Sequence, residues 1–136
     1  MTTPEAGAVL AGLAELVEAL KGPDREVDDA IATALFSDKH RGCIEGLSDE
    51  AGGMWMFRYP NGAIGSSLRF TGSLDAAMTL HSGWFHLFHF DDGCRARAIV
   101  GFGDEDPSGK ASARSVALAL TAASLRARAS MEVDHG

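Results

Sequence analysis

"WFHLFHFDDGCRARAIVGF", residues 84–102, decides how the second half of this chain folds. If residues 84–90 are extended, their side chains alternate between two faces. Trp84, His86, Phe88 and Phe90 then share one face, and Phe85, Leu87 and His89 share the other. An Asp-Gly pair between two extended runs is a strong hairpin signal, and Asp92-Gly93 supplies it. On the returning run, Cys94, Ala96, Ala98 and Val100 alternate with Arg95, Arg97, Ile99 and Gly101. The reading is an antiparallel pair over 84–102. Apolar residues on both sides of its first strand predict cover on both faces, with the aromatics at the heart of the core.

C-terminal to the hairpin, "GDEDPSGK" (103–110) reads as an acidic loop. "ASARSVALALTAASLRARA" (111–129) follows, and its wealth of Ala and Leu makes it the strongest helix in the chain. Val116, Leu120, Ala123 and Ala127 mark one face; Leu118, Ala122, Leu125 and Ala129 widen it. So many small residues predict close packing against a sheet, and residues 131–136 are expected to fray.

N-terminal to the hairpin, Ser73 can cap a short helix, "LDAAMTL" (74–80), before Gly83 leads into the strand. "MWMFRYP" (54–60) reads as a strand ended by Pro60, Asn61 and Gly62, and "SLRF" (67–70) as a short extended piece. Residues 38–66 are otherwise loop-rich and glycine-rich. Leu10, Leu13, Leu16, Val17 and Leu20 recur at spacings of three and four, the stripe of a first helix ended by Gly22-Pro23. Asp24 then caps a second helix, with Val27, Ile31 and Leu35 spaced by four and Glu26, Asp28 and Asp29 in its early turns.

The chain has 136 residues and a formal net charge of -7, with 46 % hydrophobic residues, so one globular domain over 1–136 is expected. That charge argues against a general phosphate-backbone binder and leaves only a local basic patch open. Nucleic acid is therefore not the expected partner. Two cysteines, Cys43 and Cys94, are too few for a disulfide scaffold. Glu15 and Glu18 interrupt the apolar N-terminal stretch, which reads as an amphipathic helix and not a signal peptide. With no apolar run of about 18 residues, no membrane span is expected and a cytoplasmic location is.

Three segments carry a resemblance: "PDREVDDAIATAL" (23–35), "FTGSLDAAMTLHSGW" (70–84) and "SVALALTAASLRARA" (115–129). Together they resemble the phage ABA sandwich domain family, small prophage-encoded proteins of unassigned function. The sequence departs from the family pattern at His81-Ser82, where Val-Pro and one further residue are usual, which shortens the link from helix to strand. Residues 38–66 carry none of the resemblance. It implies an α+β fold, a three-layer α/β/α sandwich around a small, mainly antiparallel sheet. It implies no catalytic or binding residues.

Chemistry is sparse in the remaining motifs. His40 and Cys43 in "HRGC" sit at a workable spacing for metal ligands, and Cys94, His86 or His89 could join them. Yet His86 and His89 are three apart on a strand and point to opposite faces, which removes the most attractive pair. No cofactor is expected. "GFG" (101–103) lacks the glycine spacing of a phosphate loop, and no G-x-S-x-G elbow occurs. "DEDPSG" (104–109) lacks the alternating ligands of a calcium loop and reads as a solvated turn. Trp84, Phe88 and Phe90 beside Arg95 and Arg97 could make a stacking platform for single-stranded nucleic acid. Burial of these rings under the Ala-rich helix is the favoured reading, because leaving several exposed is costly for a small domain.

The expected function is thus a non-enzymatic prophage accessory protein that binds a protein partner, phage-encoded or a second copy of itself. A small metal-dependent enzyme or metal-binding protein around His40, Cys43 and the strand histidines, and a single-stranded nucleic-acid module, stand as the alternatives.

Overall fold

The computed structural model describes residues 4–35, 39–42, 54–58, 64–65, 68–81, 83–89, 95–102 and 107–135. In it, α1 spans Pro4–Ala19. Leu10, Ala14 and Val17 are buried along one line, with Leu13 and Leu20 packed beside them. Leu16, expected on the same stripe, is 47 % exposed. At 3.6 residues per turn it lies about 120° round the helix from Leu10.

The second helix, α2, spans Arg25–Leu35 and buries Val27, Ile31 and Ala32. Asp24 caps it as expected, its Oδ1 accepting the backbone N–H groups of Glu26 at 2.9 Å and Val27 at 3.2 Å. Asp28 does more than complement the helix dipole. It is buried, and its Oδ1 accepts both the backbone N–H and the hydroxyl of Thr71 at 2.9 Å. Its Oδ2 accepts Nη1 of Arg25 at 3.0 Å. The segments 23–35 and 70–84 therefore meet at a buried hydrogen-bonded carboxylate.

Strands β1 (Lys39–Gly42), β2 (Met54–Arg58) and β3 (Ile64–Gly65) form one antiparallel sheet in that order. The predicted strand at 54–60 is present as β2. Two strands stand where a loop-rich stretch was expected, because β1 and β3 are too short and polar to show alternation. Within "SLRF", Leu68 and Arg69 are not in a strand and lead into a turn at Phe70–Gly72, while Ser67 lies outside the described residues. Ser73 caps α3 (Leu74–Met78), its Oγ accepting Ala76 N–H at 3.3 Å.

The predicted hairpin forms as β4 (Trp84–His89) and β5 (Ala96–Gly101), paired antiparallel from Trp84↔Gly101 to His89↔Ala96. A third strand, β6 (Gly109–Ala113), pairs with β5 from Val100↔Gly109 to Ala96↔Ala113. This corrects the reading of 111–115 as the start of the last helix. Ala111 and Ala113 have high helix propensity, but pairing to β5 overrides it. The helix α4 instead runs Val116–His135, with Ser115 Oγ accepting Leu118 N–H at 3.2 Å. It also continues through 131–135, where fraying was expected. Once a helix is nucleated each further residue adds one hydrogen bond, and Met131 and Glu132 are good helix formers.

The α+β class is the expected one. In this sheet's core α4 lies between the sheet and α1: it packs on β5 and β6, along α1, and against α3. Every residue from Ala117 to Leu125 is buried, which is why this stretch of α4 carries no charge and shows no polar face. Its small residues permit backbone contact. A Cβ added at Gly109 on β6 would lie 2.1 Å from the Ala123 carbonyl oxygen. Thr121 Oγ1 donates to Phe70 O at 2.8 Å and Arg128 Nε to Leu80 O at 2.9 Å, which fastens the segment around α3 to the central helix. Ser124 Oγ is buried in α4 without a hydrogen-bond partner.

Candidate binding face

Strand alternation gives the β4–β5–β6 sheet two chemically different faces. One carries Ala96, Ala98, Val100, Ala111 and Ala113, all buried under α4, with Phe85 and Leu87 packed at its margin. Residues of the other parity are Trp84, His86 and Phe88 on β4, Arg97, Ile99 and Gly101 on β5, and Lys110 and Ser112 on β6. Cross-strand rows follow from the register: Trp84 opposite Gly101; His86 opposite Ile99 opposite Lys110; Phe88 opposite Arg97 opposite Ser112.

Among the described residues no helix packs on this second face, which corrects the expectation that β4 is covered on both sides. Phe88 is 45 % exposed; His86, Arg97 and Lys110 are exposed, while Trp84, Ile99 and Ser112 are half-buried. The physical reason is supply. The Ala-rich helix α4 is committed to the alanine face, and α1, also rich in small apolar residues, packs mainly on α4.

Trp84 is held in place by the absence of a side chain opposite it. Its ring lies over Gly101, where an added Cβ would come within 2.4 Å of Cζ2. The ring centroids of Trp84 and His86 are 5.3 Å apart and tilted by 59°. At the same end His81 Nε2 lies 2.9 Å from Gly101 O, and its ring sits 4.7 Å from that of Phe102. His81 thus belongs to the helix-to-strand link, as expected, and fixes the end of β5.

The opposite end is cationic. Arg95 and Arg114 flank the last strand pair, are exposed, and line a cavity of about 400 Å³ with Glu18, Ala19 and Ala113. Glu18 on its wall is engaged elsewhere: its carboxylate pairs with Arg126 and accepts Ser112 N–H at 3.0 Å. The hydrogen bond from Arg126 is the main reason its carboxyl is held below the usual range, followed against it by burial, and with it by the Ser112 N–H and the Arg126 charge. The face and its end therefore present Arg97, Lys110, Arg95 and Arg114, and among the described residues no carboxylate shares their face.

The described metal candidates, His40, His86 and His89, are not gathered into one site. His86 stands on the open face, His89 pairs in register with Ala96, and His40 lies on β1 opposite Met56. Cys43 and Cys94 fall outside the described residues, as does Phe90. Among the described residues no three His, Cys, Asp or Glu groups are placed to hold an ion. None of the helices is long and apolar enough to cross a membrane, again among the described residues.

That Trp84 and Phe88 share one face, with Arg97 on the neighbouring strand, was readable from parity, although burial of that face was the favoured expectation. Lys110 and Arg114 were not, because 111–115 carries the composition of a helix and so hid the strand that completes the face. No family model, curated protein or solved structure matches the chain.

Proposed function

We propose that this protein is a non-catalytic binding module whose working surface is the open face of the β4–β5–β6 sheet. One observation carries the reading: Phe88, 45 % exposed, stands between Trp84 and His86 on one side and the exposed Arg97 on the other. A contiguous apolar and cationic patch of this kind marks an interaction site on a small soluble domain. Its residue types, aromatic rings and permanent cations, suit contact with a ligand. The resemblance to small prophage-encoded proteins supports placing the module among phage accessory proteins. The sparse, widely separated cysteines support a cytoplasmic setting.

Hydroxyl-radical footprinting of the purified full-length chain tests the reading. Trp84 and Phe88 are expected to oxidise readily, while Phe70, fully buried, is protected. Protection of Phe88 equal to that of Phe70 in the isolated chain would show the face occupied by the protein itself and overturn the proposal.

A further inference from the structure

Resting on that reading, we infer that the open face binds single-stranded nucleic acid, stacking unpaired bases on Trp84, His86 and Phe88 and seating phosphates on Arg97, Lys110, Arg95 and Arg114. Charge selects the ligand. The chain carries a net charge of -7, yet the side chains on this face include two cations and no carboxylate among the described residues, with two more arginines at its end. A polyanion is repelled by the rest of the surface and accepted here.

Accessible ring faces select the strand state. Trp84 and His86 lean together, their centroids 5.3 Å apart and tilted by 59°, and Phe88 follows on the same face, 45 % exposed. Three rings in succession thus offer π-faces that unpaired bases can meet, while a duplex keeps its bases stacked inside. Arg97, directly opposite Phe88, lies within reach of the phosphate that follows a base stacked on that ring. The cavity of about 400 Å³ shared by Arg95 and Arg114 continues the track past the sheet. Glu18 on its wall does not cancel them, because its charge is taken up by Arg126.

A second copy of the chain fits this face poorly. A two-fold interface lays the same patch on itself, so the cations of both copies would be gathered in one interface with no carboxylate of this face, among the described residues, to pair them.

Fluorescence anisotropy of labelled oligonucleotides of about 12 residues, titrated with the full-length protein at about 50 mM salt, tests the inference. Single-stranded DNA or RNA is expected to bind with a micromolar Kd and the matching duplex at least about tenfold more weakly. Phe88→Ala is expected to weaken binding about tenfold without lowering the thermal midpoint by more than a few degrees, since the ring is half out of the core. The slope of log K against log salt is expected near -3 for four phosphate contacts, and shallower by about 0.7 in Arg97→Ala. An abasic strand bound as tightly as the normal one would overturn the stacking role of the rings. No anisotropy change at tens of micromolar protein would overturn the inference outright. If footprinting still shows Phe88 accessible, that failure leaves the binding face standing and excludes only this ligand.

Discussion

Glu18 and Arg126 form an ion pair laid across the free edge of β6: the Glu18 carboxylate accepts Ser112 N–H, and Arg126 Nη1 donates to Lys110 O at 2.9 Å. Edge strands present unpaired backbone groups that invite other chains, and this pair occupies two of them. It also ties α1 and α4 to the sheet through one contact.

Removing the carboxylate should therefore cost more than a surface ion pair. Glu18→Ala is expected to destabilise the protein by about 1–2 kcal/mol, since hydrogen bonds to a charged group are lost while both partners stay half-buried. Because Glu18 is held below its ordinary value of 4.5, its contribution is full above that value. It is lost as pH falls through the lower value of the folded state. Urea melts at pH 7 and pH 3 should show the wild type converging on Glu18→Ala at low pH. A mutant deficit that is unchanged between the two pH values would contradict the pairing.

Two glycines should respond to alanine in opposite ways. At Gly109 the added methyl carbon meets the Ala123 carbonyl oxygen at 2.1 Å and Ala127 N at 2.9 Å, both backbone atoms of the central helix that cannot step aside. Gly109→Ala is expected to cost about 3 kcal/mol, the upper end for overpacking. Gly12, inside α1, has open space where its Cβ would go, so Gly12→Ala should gain about 0.5–1 kcal/mol. Thermal melts of the two variants against wild type decide both signs.

What the sequence disclosed followed from how strongly each segment repeats a period. The hairpin at 84–102 alternates over two strands that pair in register, so its existence and parity were legible; the expected Asp92-Gly93 turn lies outside the described residues. Helix caps at Asp24 and Ser73 were legible because an acceptor side chain stands directly before an apolar run. Burial on β4 was not, because alternation tells which residues share a face and not which face a helix covers. That depended on β6, whose Ala111, Ser112 and Ala113 read locally as helix. Losing β6 from the reading hid Lys110 and Arg114 and made the aromatic face the best candidate for α4 to cover. Asp28 was read only as an early-turn charge favoured by the helix dipole, because its partner, Thr71, is distant in sequence.

That partner makes the next prediction specific. Asp28 accepts three hydrogen bonds while buried, two of them from Thr71. Asp28→Ala should cost about 2–3 kcal/mol, because the buried Thr71 N–H loses its acceptor and the Thr71 hydroxyl keeps only its longer contact to Asp24 O at 3.2 Å. Thr71→Val removes the donor to Asp28 and the acceptor of Asp24 N–H at 2.8 Å but keeps the Thr71 N–H bond to Asp28, and should cost less. In a double-mutant cycle the pair should show coupling of about 1 kcal/mol or more, against near-additivity for Asp28→Ala with Gly12→Ala.

Gly101 sets the position of Trp84, so enlarging it should separate binding from stability. In Gly101→Ala the new methyl would stand 2.4 Å from Cζ2 and 2.7 Å from Cε2 of the indole, which must swing off the sheet. A half-buried ring at a sheet end can move outward, so the stability cost should stay near 1 kcal/mol, at the low end for overpacking. The displaced ring no longer lines up with His86 and Phe88, so affinity for a single strand should fall about tenfold, as for the loss of one stacked base. In a Trp55→Phe background, where Trp84 is the sole tryptophan, its emission should shift to the red in Gly101→Ala, and oligonucleotide should quench it less than in the parent. Unchanged emission together with unchanged affinity would show that Gly101 does not position the ring.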